Sequence, residues 1–165
     1  MSKVTLGVGL LCLMVGAASG ETPAPSVQGP WLGVWKLNVA KSHYQTGAPP
    51  EGTVRTYAMS ATGPDSFDVV IDSKSPAGVQ TMHMELRGGK FDNKDYKDVG
   101  NPVADFNRFQ LLSKRSYGFV ETRAGVEVMK VTVEISADGK TRTSHQEGKG
   151  PDGKPVSNTA VWERQ

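Results

Sequence analysis

Apolar and polar residues alternate with a period of two along much of the chain beyond residue 31. Between residues 126 and 136, Met129, Val131, Val133 and Ile135 share one face, with Lys130, Thr132 and Glu134 on the other. Met82, Met84 and Leu86 oppose His83, Glu85 and Arg87, and Phe67, Val69 and Ile71 oppose Asp68 and Asp72. Successive side chains of a strand point to opposite faces, so this spacing predicts strands with one buried and one wet face. Strands are predicted over 33–39, 53–60, 66–73, 78–87, 94–98, 105–113, 116–123, 126–136, 140–148 and 156–164. Thr62-Gly63-Pro64-Asp65, Ser75-Pro76-Ala77-Gly78, Gly100-Asn101-Pro102, Ala124-Gly125 and Asp138-Gly139 mark turns between them.

Two stretches depart from this pattern. Residues 105–113 alternate poorly, and Thr141-Arg-Thr-Ser-His-Gln-Glu-Gly148 is polar on both faces. A strand polar on both faces lies at an edge or looks into a polar or hydrated cavity. Consecutive strands joined by tight turns form an antiparallel meander. A meander this long leaves exposed edges unless it closes on itself. The predicted fold is all-β, an antiparallel up-and-down barrel of about 8–10 strands.

The first residues follow another logic. Lys3 precedes an apolar run from Val4 to Val15, and Ala18-Ser19-Gly20 supplies small residues before Glu21. This is the pattern of a secretory signal peptide over 1–20, which predicts an exported, periplasmic or extracellular protein. Residues 21–30, Glu-Thr-Pro-Ala-Pro-Ser-Val-Gln-Gly-Pro, read as a flexible linker, with the barrel domain over 31–165. Cys12 is the single cysteine and lies in the apolar run, so the mature chain would have no disulfide and no thiol chemistry. No later apolar run approaches the ~20 residues a membrane-spanning helix needs, so no stable membrane insertion is expected.

Composition narrows the function classes. Charged residues make up 22% of the chain and hydrophobic ones 37%, which is globular rather than disordered. Nineteen basic and seventeen acidic residues are interspersed, for a net charge of +2. A nucleic-acid surface needs a basic stripe, and none is present, so no nucleic-acid partner is expected.

Gly33-Val34-Trp35, on the first predicted strand, resembles the Gly-x-Trp signature of lipocalins and the wider calycin superfamily. "GVWKLNVAKS", "FDNKDYKDVGNPVAD", "SADGKT" and "GPDGKPVSNTAVWERQ" are similar to a group of small secreted bacterial lipocalin-like proteins of unassigned function. The resemblance implies that Gly33 lets the first strand pass close to its neighbour and that Trp35 plugs the barrel floor. It also implies that an arginine near the chain end, Arg164, packs across the indole. Trp31 would then sit at the outer edge of that floor. The resemblance brings no catalytic residues, and a ten-stranded fatty-acid-binding type of barrel stays open beside the lipocalin type.

Candidate chemistry is sparse. His43, His83 and His145 share no metal-ligand spacing, and Asp92, Asp95 and Asp98 lack the glycine and terminal glutamate of a calcium loop. No Gly-x-Ser-x-Gly nucleophile motif is present. No metal, cofactor or catalytic residue is expected, and the enzyme reading leans to no. On the predicted phases, Met59, Met82, Met84 and Met129 face inward with Tyr57 and Phe119. Methionine fills irregular space and adapts to different partners, so these residues form either a packed core or the wall of an apolar pocket. The predicted ligand set is Tyr44, Tyr57, Met59, Met82, Met84, Phe119 and Met129, with His145 as polar anchor. The 39–53 loop would be the lid over the mouth and Tyr44 its aromatic lip.

Three functional readings follow from a barrel of this kind. The first is an exported binder of a small apolar or amphipathic molecule. The second is a filled structural or protein-interaction module. The third is a calycin-like enzyme, such as an isomerase or cyclase. The expected partner is a small hydrophobic ligand, with oligomeric state open.

Overall fold

A computed structural model describes residues 27–45, 47–149 and 153–165. The signal peptide predicted over 1–20, with Cys12, and residues 21–26 of the predicted linker lie outside the described residues. Ten strands follow in chain order: β1 (Gly33–Tyr44), β2 (Val54–Ala61), β3 (Phe67–Lys74), β4 (Gln80–Gly89) and β5 (Asp95–Val99). The rest are β6 (Phe106–Ser113), β7 (Ser116–Arg123), β8 (Val126–Ile135), β9 (Thr141–Lys149) and β10 (Pro155–Arg164). Each pairs antiparallel with the next, and β10 closes onto β1 through Trp35↔Arg164 and Leu37↔Trp162. The result is a closed barrel of ten strands, with no helix among the described residues. Closure removes every sheet edge.

The predicted strands reappear with small shifts, except that β1 runs on to Tyr44. Its pairing with β10 jumps between Asn38 and His43, which marks a bulge. There Asn38 Oδ1 accepts from Lys41 N at 3.0 Å and Ser42 Oγ donates to Asn38 O at 2.7 Å. The extra residues exchange the faces of the strand, so Trp35 and Leu37 point inward before the bulge and Tyr44 is half-buried after it.

An up-and-down barrel sends alternate connections to opposite ends. The end holding Trp35 is sealed. Val27, fully buried, donates N–H to Pro64 O, and its carbonyl accepts from Trp31 Nε1 at 3.1 Å. Trp31 O in turn accepts from Trp35 Nε1 at 3.0 Å. Residues 27–30 therefore belong to the folded domain rather than to a flexible linker. Trp31 is also not at an outer edge. It is 2% exposed and meets Phe91 and Tyr117 edge-on at 5.3 and 6.0 Å. Phe67, Phe109 and Phe119 continue this aromatic stack up the barrel.

Gly33, Trp35 and Arg164 form the latch at this end. The Arg164 guanidinium lies over the Trp35 ring, 4.1 Å from its centroid. Its nitrogens donate to Leu32 O at 2.8 Å, to Gly139 O at 2.7 Å and to Pro30 O. Gly33 has φ of 122°, a region that disfavours a side chain, and a Cβ there would lie 2.7 Å from Arg164 Nη1.

Candidate ligand-binding site

The other end of the barrel is open. A cavity of about 220 Å³ lies in the interior above the aromatic floor and reaches the mouth at Arg55, Met82, Gln146 and the connection 100–105. Its apolar wall comes from Tyr57, Ile71, Met84, Phe119, Met129 and Trp162. Tyr57, Met82, Met84, Phe119 and Met129 from the predicted set line it. Met59 does not. It is 1% exposed and packs in the core below.

Two other predicted residues lie elsewhere. Tyr44 is half-buried against the core and outside the lining, near enough to Arg55 for their charges to interact. Burial raises its phenol pKa, which the Ser42 hydrogen bond partly offsets. None of the described residues between 45 and 53 lines the cavity. Asn101, Pro102 and Val103 border it instead of the expected lid. His145 is exposed on the outer face, where its Nδ1 meets Thr159 Oγ1 at 3.1 Å. The reason is register. His145 pairs with Thr132 and Thr159, both on the outward phase of their strands. It is not the interior anchor.

The interior of β9 is polar through its other phase. Arg142, Ser144 and Gln146 all line the cavity, and Arg142 is only 2% exposed. Its guanidinium lies over the Tyr57 ring at 4.1 Å and faces the Trp162 ring at 5.3 Å. One nitrogen donates to Tyr117 Oη at 3.3 Å, and that hydroxyl meets Tyr57 Oη at 3.2 Å. Arg142 Nε has no hydrogen-bond partner, and among the described residues no carboxylate pairs with this cation. Burial drives the Tyr57 phenol well above its ordinary pKa, so it stays neutral and offers no counter-charge. Above it, Ser144 Oγ accepts from Trp162 Nε1 at 3.2 Å.

Acidic groups stand on the wall formed by β5 to β7. Glu121 lines the cavity, and burial, together with the Asp98 carboxylate, pushes its pKa up to about 7. Asp98 is 7% exposed, and its pKa is raised by burial despite the two amides that donate to it. Asn101 Nδ2 and Asn107 Nδ2 both reach Asp98 Oδ2 at 2.9 Å. At the mouth Arg55 donates from Nε to Ser73 Oγ at 3.4 Å, and burial lowers its pKa. Among the described residues no group of three or more His, Cys, Asp or Glu is placed to hold a metal ion.

Sequence reasoning missed Arg142, Glu121 and Arg55. A signal for the first two was present. Tyr117, Phe119 and Glu121 share one phase of β7, and the turn at Ser136–Lys140 sets Ile135 opposite Arg142. Residues paired across antiparallel strands share a face, so an inward Ile135 carries Arg142 inward with it.

No family model matches the sequence, and no curated protein matches it. Among solved structures the barrel is similar to two point mutants of fluorescent protein UnaG. The first has a TM-score of 0.54 at 14% identity, over 82% of this chain and 96% of that one. The second has a TM-score of 0.53 at 17% identity, over 81% of this chain and 95% of that one. These likenesses concern the fold alone, a closed antiparallel barrel. Its ten strands differ from the eight of an ordinary lipocalin barrel.

Proposed function

We propose that the protein binds a small amphipathic molecule bearing an acidic group, with Arg142 meeting that group inside the barrel. One observation carries this reading. A guanidinium stays protonated at any ordinary pH, and Arg142 is buried with a free Nε and, among the described residues, no carboxylate beside it. Burying an unpaired charge is costly, and the Tyr57 and Trp162 rings offset only part of that, about 2 kcal/mol for a desolvated contact. An oxyanion entering through the mouth would complete the pairing, and a charge-assisted hydrogen bond is about twice as strong as a neutral one. The apolar wall would take the rest of the molecule. The leader-like residues 1–20 support export, so we place this binder, used in the manner of a lipocalin, in the periplasm or outside the cell. N-terminal sequencing of secreted material, beginning at or near Glu21, checks that placement.

Calorimetric titration with decanoate and with decanol, on the protein and on Arg142→Met, tests the binding reading. Decanoate should bind more tightly than decanol, and Arg142→Met should weaken decanoate by about tenfold or more while leaving decanol nearly unchanged. Replacing a buried charge with an apolar side chain of similar length is often neutral or stabilising, so the variant should fold. Equal affinity for both ligands before and after the substitution would contradict the reading.

The calycin-like enzyme is the second reading, and Glu121 favours it. A carboxyl with pKa near 7 facing a cavity is suited to proton transfer. Recovery of a bound ligand chemically unchanged after prolonged incubation would favour the binder.

A further inference from the structure

A second, smaller chamber of about 30 Å³ adjoins the main cavity and shares Tyr57, Ile71, Met84, Phe119 and Glu121 with it. Asp98 and Asn107 line only this chamber. Its size admits roughly one or two water-sized groups. Its polar side chains are Tyr57, Asp98, Asn107 and Glu121, and two of these four are acids. Asn107 is 7% exposed, its amide nitrogen donates to Asp98 Oδ2, and its Oδ1 is buried with no partner. Both donors to Asp98 land on the same oxygen. Glu121 has Asn101 as its hydrogen-bonding side chain. No cation among the described residues acts on either carboxyl, and the Asp98 charge adds to the difficulty Glu121 has in holding its own.

We propose that this chamber is a subsite for a primary ammonium group, held by Asn107 Oδ1 and the carboxyls of Glu121 and Asp98. The match is one of number and sign. An ammonium brings three N–H donors to three acceptor groups, and its charge lies between two acids that have none opposite them. It is also about the size of the water the chamber would otherwise hold. A neutral hydroxyl brings one donor and would leave acceptors unmet. Resting on the proposed role of Arg142, this inference makes the ligand amphipathic and zwitterionic: an acidic group at Arg142, an apolar middle against Met84 and Phe119, and an amine beyond Glu121.

The test uses straight-chain probes of roughly six to twelve carbons near pH 8, in four matched forms: alkanol, alkylamine, alkanoate and ω-aminoalkanoate. Binding is measured by calorimetry on the protein, on Glu121→Gln and on Asn107→Leu, with thermal melting to show that each variant is folded. Glu121→Gln keeps the shape of the side chain, so it carries the test if Asn107→Leu does not fold. The alkylamines should bind about tenfold or more tighter than the alkanols, and one ω-aminoalkanoate should outbind the alkanoate of its length. Glu121→Gln should remove the advantage of the amine over the alkanol of the same length. Amines binding no tighter than alkanols, or an amine advantage that survives Glu121→Gln, would overturn the subsite and leave the chamber to water. The arms separate the two claims. Loss of alkanoate selectivity alone counts against Arg142, whereas loss of amine selectivity alone counts against this chamber.

Discussion

Arg164 closes the barrel over Trp35. The two residues are paired across β1 and β10, and the guanidinium stands 4.1 Å from the indole centroid while it binds three carbonyls, those of Pro30, Leu32 and Gly139. The same floor holds Trp31, which is as well buried as its neighbour. Trp35→Ala and Trp31→Ala should therefore each cost roughly 3–5 kcal/mol, out of a typical domain stability of about 5–15 kcal/mol. Arg164→Ala should cost about 1–3 kcal/mol, beyond the range of an ordinary surface change. Urea unfolding of the three variants checks this, and a small loss at Trp31 beside a large one at Trp35 would show that only Trp35 is the plug.

Glu121 sets a pH dependence of known sign. Its carboxyl titrates at about 7 in the folded protein against an ordinary 4.5. The folded state thus holds its proton more tightly, so this contribution to stability is complete below pH 4.5 and is lost as pH rises to about 7. The loss is on the order of 3 kcal/mol. The raised Asp98 carboxyl acts in the same direction. Glu121→Gln, neutral at every pH, should melt above the unmutated protein near pH 8 and close to it near pH 5. An unchanged melting difference across that range would contradict the burial of this charge.

Met84 and His145 should respond in opposite ways. Met84 lines both chambers, so Met84→Trp should fill the space, block decanoate and leave the barrel folded. If the interior had no usable void, the larger ring would instead overpack it and cost about 1–3 kcal/mol. His145→Ala should leave affinity untouched, because the imidazole lies outside the barrel against Thr159. A loss of binding in His145→Ala would mean that ligand reaches the outer face.

The fold was legible because burial is written into alternation. Phe67, Val69 and Ile71, or Val131, Val133 and Ile135, permit one face inward and no other. The site was less legible because its polar residues interrupt that code. In β6 the outward Phe106 and inward Asn107 invert the usual pattern, which is why this strand alternates poorly in sequence. Its irregular phase marked the chamber wall. In β9 the two phases are both polar, so residue type could not say which one faced the interior. His145 drew attention by its chemistry, whereas register gives the interior to Arg142 and Ser144. The end of β1 was read short because the Asn38 bulge breaks the period, and residues 27–30 were read as spacer because so short a stretch shows no pattern.

The central claim is that Arg142 is an anion-binding group, and its Nε–H reports on it directly. Nitrogen-15 spectra of the arginine side chains, with Arg142 assigned by its loss in Arg142→Met, should show one Nε–H resonance with no strong acceptor in the free protein. On addition of decanoate that resonance should move sharply downfield and exchange with solvent more slowly, while decanol leaves it in place. An Arg142 Nε–H signal indifferent to decanoate at saturating probe would contradict the account.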